Sequence, residues 1–103
     1  MSGEEFTVGV CTACAHALWP PRPVCPRCGS TRFAPRAAAR GSVEEVTETG
    51  EGAFASVRTD AGPVVIVRLA GEAAAGAAVE LHWAAAADGR RFVLATPDVS
   101  GRA

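Results

Sequence analysis

The sequence predicts a mainly β protein in two parts: a small module pinned through its cysteines, then a five-stranded antiparallel barrel. Three observations carry this. All four cysteines fall in CTACAHALWPPRPVCPRCGS, Cys11 to Ser30, as two C-x-x-C pairs ten residues apart. From Ser42 onward, short segments rich in Val alternate with Gly, Asp and Pro turn signals. At 103 residues the chain holds one domain, or one with a small appendage, and its apolar content is mostly small: 22 Ala against four Leu, one Ile, four Phe and two Trp. So thin a core asks for a metal staple or a partner.

Taken in order, residues 1–10 read as a short lead-in and 11–34 as the cysteine module. PRAAARG, 35–41, is a connector with room for one turn of helix, stopped by Gly41. Residues 42–97 form the barrel and 98–103 a tail. In VEEVTET (43–49), Val43 and Val46 fall on opposite parities, which predicts a bulge. Gly50-Glu51-Gly52 turns the chain into AFASVRT (53–59), and Asp60-Ala61-Gly62-Pro63 turns it again. VVIVRL (64–69) is apolar on both faces, as a central strand should be. GEAAAG (71–76) is a loop or a stub of helix. AVELHW (78–83) sets Val79, Leu81 and Trp83 on one side and Glu80 and His82 on the other. After Asp88-Gly89, RFVLAT (91–96) is the last strand.

The cysteines carry the chemistry. A C-x-x-C turn presents two sulfurs from one knuckle of backbone, and two knuckles complete a tetrahedral shell for zinc. Cys11, Cys14, Cys25 and Cys28 are therefore the candidate ligands. In the second knuckle Gly29 follows the second Cys and can take the positive φ that aims backbone N–H groups at sulfur. Ala15 holds that place in the first knuckle, a less comfortable fit. Iron of the rubredoxin kind uses the same four ligands, and spacing does not separate it from zinc. A thioredoxin-like redox pair lacks its βαβ setting here. Four thiolates fill the shell, so the metal's role is structural. His16 and His82 read as solvated histidines.

Charge divides the chain. Residues 1–40 carry a net +3, all of the cations being Arg, and 41–103 carry −4. The lead-in MSGEEFTVGV is acidic without an apolar core segment, and no run of 18 apolar residues exists. The sequence thus predicts a cytoplasmic protein, where thiols stay reduced and structural disulfides are disfavoured. No membrane partner is expected. GEAAAG lacks the Lys-Ser/Thr of a P-loop, and no Ser/His/Asp set or carboxylate pair assembles, so the chain is not read as an enzyme by itself.

The sequence Cys-x-x-Cys, then Trp19-Pro20-Pro21-Arg22, then Cys25-Pro26-x-Cys28-Gly29-Ser30, with a barrel opened by Gly41-Ser42-Val43, resembles a known family. These are acyl-CoA-associated proteins built from a rubredoxin-like zinc ribbon and an OB-fold, long catalogued as a domain of unknown function. The resemblance spans residues 11–97. It implies an N-terminal zinc ribbon followed by a small OB-like barrel, with Cys11, Cys14, Cys25 and Cys28 on the metal. It also implies a non-catalytic accessory subunit that docks on a thiolase-like enzyme: a thiolase, a lipid-transfer-protein-type aldolase or an acyl-transferring condensing enzyme. Such a subunit supports its partner's acyl-CoA carbon–carbon bond chemistry. Trp19 and Arg22 are then the candidates for contact with the partner or acyl-CoA, while Trp19 equally suits packing of ribbon on barrel.

The alternative is a zinc-ribbon/OB module that binds single-stranded nucleic acid on stacked aromatics and a basic groove. An acidic barrel half whose aromatics are Phe54, Trp83 and Phe92, in a chain without Lys, argues against it.

Overall fold

The computed structural model describes residues 5–97, all of them in strands, turns and loops. Eight strands form two sheets. β1 (Thr7–Cys11), β2 (Ala17–Leu18) and β3 (Phe33–Ala37) make a small antiparallel sheet in the order β2-β1-β3. β4 (Arg40–Thr49), β5 (Gly52–Thr59), β6 (Val64–Leu69), β7 (Ala78–Ala85) and β8 (Arg91–Pro97) close a barrel in the order β4-β5-β6-β8-β7. β4 closes the circle by pairing with both β5 and β7. β6 and β8 run parallel, because β7 separates them in the chain and each turn reverses direction. The remaining pairs are antiparallel. None of the described residues forms a helix long and apolar enough to cross a membrane.

Two stretches depart from the sequence reading. Lead-in residues 7–10 belong to β1, and 33–37, expected to end the module and begin a helical connector, are strand β3 paired with it, from Thr7↔Ala37 to Cys11↔Phe33. Pro35 tolerates this on the sheet's outer strand, where no ladder bond is asked of its nitrogen. Gly41 stops no helix; it lies inside β4, opposite Thr59 and Val79. The expected bulge is present, with the β4–β5 register shifting between Val43 and Glu45. GEAAAG is irregular, without helix.

The core is one cluster shared by both parts. Val43, Ala55, Val57, Val65, Val67, Leu69, Val79, Leu81, Val93 and Ala95 fill the barrel, and Phe6, Val8 and Ala38 join them from the ribbon side. β6 corrects the expectation of a strand covered on both faces. Val65, Val67 and Leu69 are buried, whereas Val64 and Ile66 are 38% and 68% exposed. The strand is central by pairing, but its outer face meets solvent.

The backbone also ties ribbon to barrel. Ala38 donates its N–H to the Phe6 carbonyl at 2.9 Å, Leu81 donates to Ala39 at 2.7 Å, and Glu5 bridges His82 of β7. Phe6, with no exposed surface, meets Trp19 edge-on at 4.9 Å between ring centroids and Trp83 at 5.4 Å. The two Trp rings lie 6.0 Å apart. Aromatic triads with these spacings contribute beyond their buried area.

Candidate metal centre

β1 ends at Cys11, and the chain turns back at once. Ala15 donates its N–H to the Cys11 carbonyl at 2.8 Å, and Cys11 donates to His16 at 2.9 Å. The second knuckle repeats this bond for bond: Gly29 N–H to the Cys25 carbonyl at 2.8 Å, and Cys25 N–H to Ser30 at 2.8 Å. Both knuckles reach a positive φ one residue past the second cysteine, +67° at Ala15 and +83° at Gly29. That twist turns successive N–H groups inward over the sulfurs.

The four sulfurs converge. Cys11 Sγ lies 3.5 Å from Cys28 Sγ and Cys14 Sγ lies 3.8 Å from Cys25 Sγ, with all four within 4.8 Å of one another. A tetrahedron of sulfurs at about 2.3 Å from a zinc ion has edges of about 3.8 Å, so the donor set fits such an ion in number, type and spacing. Cys11 and Cys25, the first of each pair, are buried, and Cys14 and Cys28 are exposed.

Electrostatics of the bare sulfurs follow from the knuckles. Burial pushes the Cys11 thiol up, but the backbone N–H groups of Cys14 and Ala13 and the sulfurs of Cys28 and Cys14 outweigh it and lower its pKa to about 6. Cys25 is likewise lowered: burial acts upward, and the N–H groups of Arg27 and Cys28 with the neighbouring sulfurs overcome it. For Cys28 the Ser30 N–H pulls downward, yet Cys11, burial, Cys14 and Cys25 together push it up to about 12. The cluster thus concentrates thiolate on the two buried positions and holds a proton at Cys28.

Trp19 and Arg22 lie apart. Trp19 is half-buried against Phe6 and the core, so its packing role is visible, whereas Arg22 stands exposed on the loop between the knuckles. His16 is half-buried, its Nδ1 3.5 Å from Arg27 Nη1. Two features escaped the sequence. Phe6, five residues before the first cysteine, is the hinge of the aromatic triad. Three arginines of the barrel also gather at one groove: Arg68, Arg90 and Arg91 come from β6, the β7–β8 turn and β8, with Glu51 beside them and Asp88 paired to Arg90 at 2.9 Å. Only the pairing of β6 with β8 brings them together, which no local pattern announces.

Comparison with known proteins agrees with this architecture. The family described as ChsH2, rubredoxin-like zinc ribbon domain, matches residues 4–34, and the TOBE domain matches 27–98. No curated protein matches the chain. A chain in the solved structure of an Ltp2-ChsH2(DUF35) aldolase is similar with a TM-score of 0.78 at 26% identity, over 92% of this chain and 86% of that one. Residues 4–34 therefore match the ChsH2 rubredoxin-like zinc ribbon domain, and the chain belongs, through residues 27–98, to the TOBE domain family.

Proposed function

We propose that this chain is a non-catalytic accessory subunit that docks on a thiolase-like enzyme, of the thiolase, lipid-transfer-protein-type aldolase or condensing kind, and supports its acyl-CoA carbon–carbon bond chemistry in the cytoplasm. The observation that carries this reading is the similarity, over 92% of the chain, to a chain of an Ltp2-ChsH2(DUF35) aldolase. The reacting groups then belong to the partner. This chain supplies shape and stability.

In this reading Cys11, Cys14, Cys25 and Cys28 hold one structural zinc ion. Bound there, zinc supplies a rigid crosslink between the knuckles, with its coordination filled by sulfur and no position left for a water nucleophile. The buried Cys11 and Cys25 anchor the knuckles to β1 and to the loop before β3. The sulfur spacing and the inward N–H groups support this assignment. Trp19 and Arg22 are proposed for contact with the partner or its acyl-CoA. The exposed Arg22 has the fixed cationic fork for a phosphate or carboxylate. The division into ribbon (11–34), connector (35–41) and barrel (42–97) is proposed as a functional one, with the ribbon presented by the barrel.

The test is co-expression with a thiolase-like enzyme of the same genome, the genes flanking this one being searched for it first. The expected result is a single peak holding both on gel filtration, one zinc per copy of this chain, and an enzyme less soluble or less active without it. Separate elution, with the enzyme's solubility and activity unchanged, sinks the reading.

A further inference from the structure

The ribbon is cationic and holds no acid to balance it. From Phe6 to Ala37 the sequence has four arginines, Arg22, Arg27, Arg32 and Arg36, and neither Asp nor Glu. A zinc ion in four thiolates carries about two negative charges, so the arginines outnumber what the metal centre offsets. Two of them converge. Arg27 on the second knuckle, Arg36 on β3 and His16 beyond the first knuckle form one wall of a recess of about 360 Å³, and the barrel turn Ala61-Gly62-Pro63 forms the other. Arg27 Nη1 lies 3.5 Å from His16 Nδ1, which holds its guanidinium at the recess. On the barrel, Arg58 and Arg90 are paired with Glu44 and Asp88. Among the described residues neither Arg27 nor Arg36 has a carboxylate within ion-pairing distance, and no residue lining the recess is acidic. Asp60, just before the turn, is exposed and pairs with neither. Two guanidinium groups gathered without a counter-charge repel each other, and an anion between them turns that cost into attraction.

We propose that the recess between ribbon and barrel binds a phosphate group, free or at the end of a small molecule, through the guanidinium forks of Arg27 and Arg36 and the ring of His16. The site stands whether or not the chain has a catalytic partner. Donor number selects the ligand. One fork already satisfies the two oxygens of a carboxylate, whereas two forks suit the three oxygens and the larger charge of a phosphate. The volume lies at the lower end of the range for small-molecule pockets, about 300–1,000 Å³. A nucleic-acid strand is held by stacking of its bases as well as by its phosphates, and no aromatic side chain other than His16 lines the recess.

The experiment titrates the zinc-loaded full chain with inorganic phosphate, AMP and acetate at constant ionic strength, followed by NMR of the backbone amides. Wild type is expected to bind phosphate saturably, with the largest shifts at His16, Arg27, Arg36 and Gly62. Arg36→Ala removes an exposed side chain without a bonded partner among the described residues, so metal content and melting temperature are expected to hold. Its phosphate binding is expected to weaken about tenfold, as is that of Arg27→Ala, while Arg32→Ala, outside the recess, binds as wild type does. AMP binding more tightly than phosphate supports the site with a nucleotide as carrier, and equal binding supports it with the bare phosphate as ligand. The absence of saturable shifts at millimolar phosphate overturns the proposal. So does an equal loss in Arg32→Ala, the mark of diffuse attraction to the whole ribbon. Acetate binding as tightly as phosphate overturns the choice of ligand in favour of a carboxylate. A single-stranded oligonucleotide whose retention needs Arg32 as much as Arg36 overturns it in favour of a nucleic-acid strand.

Discussion

Ala15 donates to the Cys11 carbonyl at φ +67°, the conformation that Gly29 takes at +83° to make the same bond to Cys25. An L side chain in this left-handed region costs about 1–2 kcal/mol, which glycine avoids. Part of that gain is offset by glycine's greater freedom when unfolded. Ala15→Gly is therefore expected to stabilise the metal-loaded chain by about 0.5–1 kcal/mol. Gly29→Ala, with nothing within 4 Å of the added methyl, is expected to destabilise by about 1 kcal/mol from backbone strain alone. Urea midpoints of the three proteins at equal zinc check the order.

Metal uptake is expected to release protons at neutral pH. In the bare cluster Cys11, lowered to about 6, is already thiolate at pH 7.5, whereas Cys28, raised to about 12, keeps its proton. Coordination requires thiolate at all four positions, so the Cys28 proton leaves as zinc enters. The signs differ between the two groups. The stabilisation of the bare fold through Cys11 is present above the ordinary thiol value of 9.0 and is lost as pH falls from there through about 6. That through Cys28 is present below 9.0 and is lost as pH rises toward 12. Zinc affinity should accordingly weaken steeply below about pH 6, where Cys11 also protonates. Calorimetric titration in buffers of different ionisation enthalpy reads the protons released, and a heat independent of buffer would contradict the expectation.

What the sequence disclosed and what it hid divide along range. The two knuckles and the turns at Gly50, Asp60 and Asp88 are local signals, carried by Cys spacing and by Gly, Asp and Pro, and the structure has them where the sequence put them. The bulge was local too, readable from the parity of Val43 and Val46. By contrast, β3 was hidden because FAPRA has two alanines and a proline, and becomes strand only by pairing with β1. The triad of Phe6, Trp19 and Trp83 joins residues up to 77 positions apart, so no spacing rule could reach it. β6 illustrates the converse. Its two apolar faces were legible, and the inference that both are covered failed because pairing covers edges and not faces.

Phe6 is expected to be the residue whose loss most separates ribbon from barrel. It is fully buried, touches both Trp rings and accepts the Ala38 N–H on its own carbonyl. Phe6→Ala removes a buried ring from a core already short of large side chains, for a loss of about 3–5 kcal/mol. In a chain of this size that approaches the whole margin of stability. Trp19→Ala, at a half-buried position, is expected to lose less. Thermal melts followed by tryptophan fluorescence rank the two, and an equal or reversed ranking would move the hinge from Phe6 to Trp19.

Gly41 lies where β4 pairs with β5 and β7 at once, opposite Thr59 and Val79, and the barrel closes there without room for a side chain. A methyl on Gly41 meets the Arg58 carbonyl oxygen at 2.6 Å and Val57 Cγ1 at 2.5 Å. The oxygen belongs to the backbone of a paired strand, so it yields only if the β4–β5 ladder shifts. Gly41→Ala is therefore expected to destabilise by about 1–3 kcal/mol, and Gly41→Val by more. The lesion is in the barrel and the cysteines lie outside it. Zinc should therefore stay bound to folded Gly41→Ala at wild-type stoichiometry while its urea midpoint falls. Loss of zinc at denaturant concentrations where the barrel remains intact would show that closure at Gly41 also sets the geometry of the knuckles.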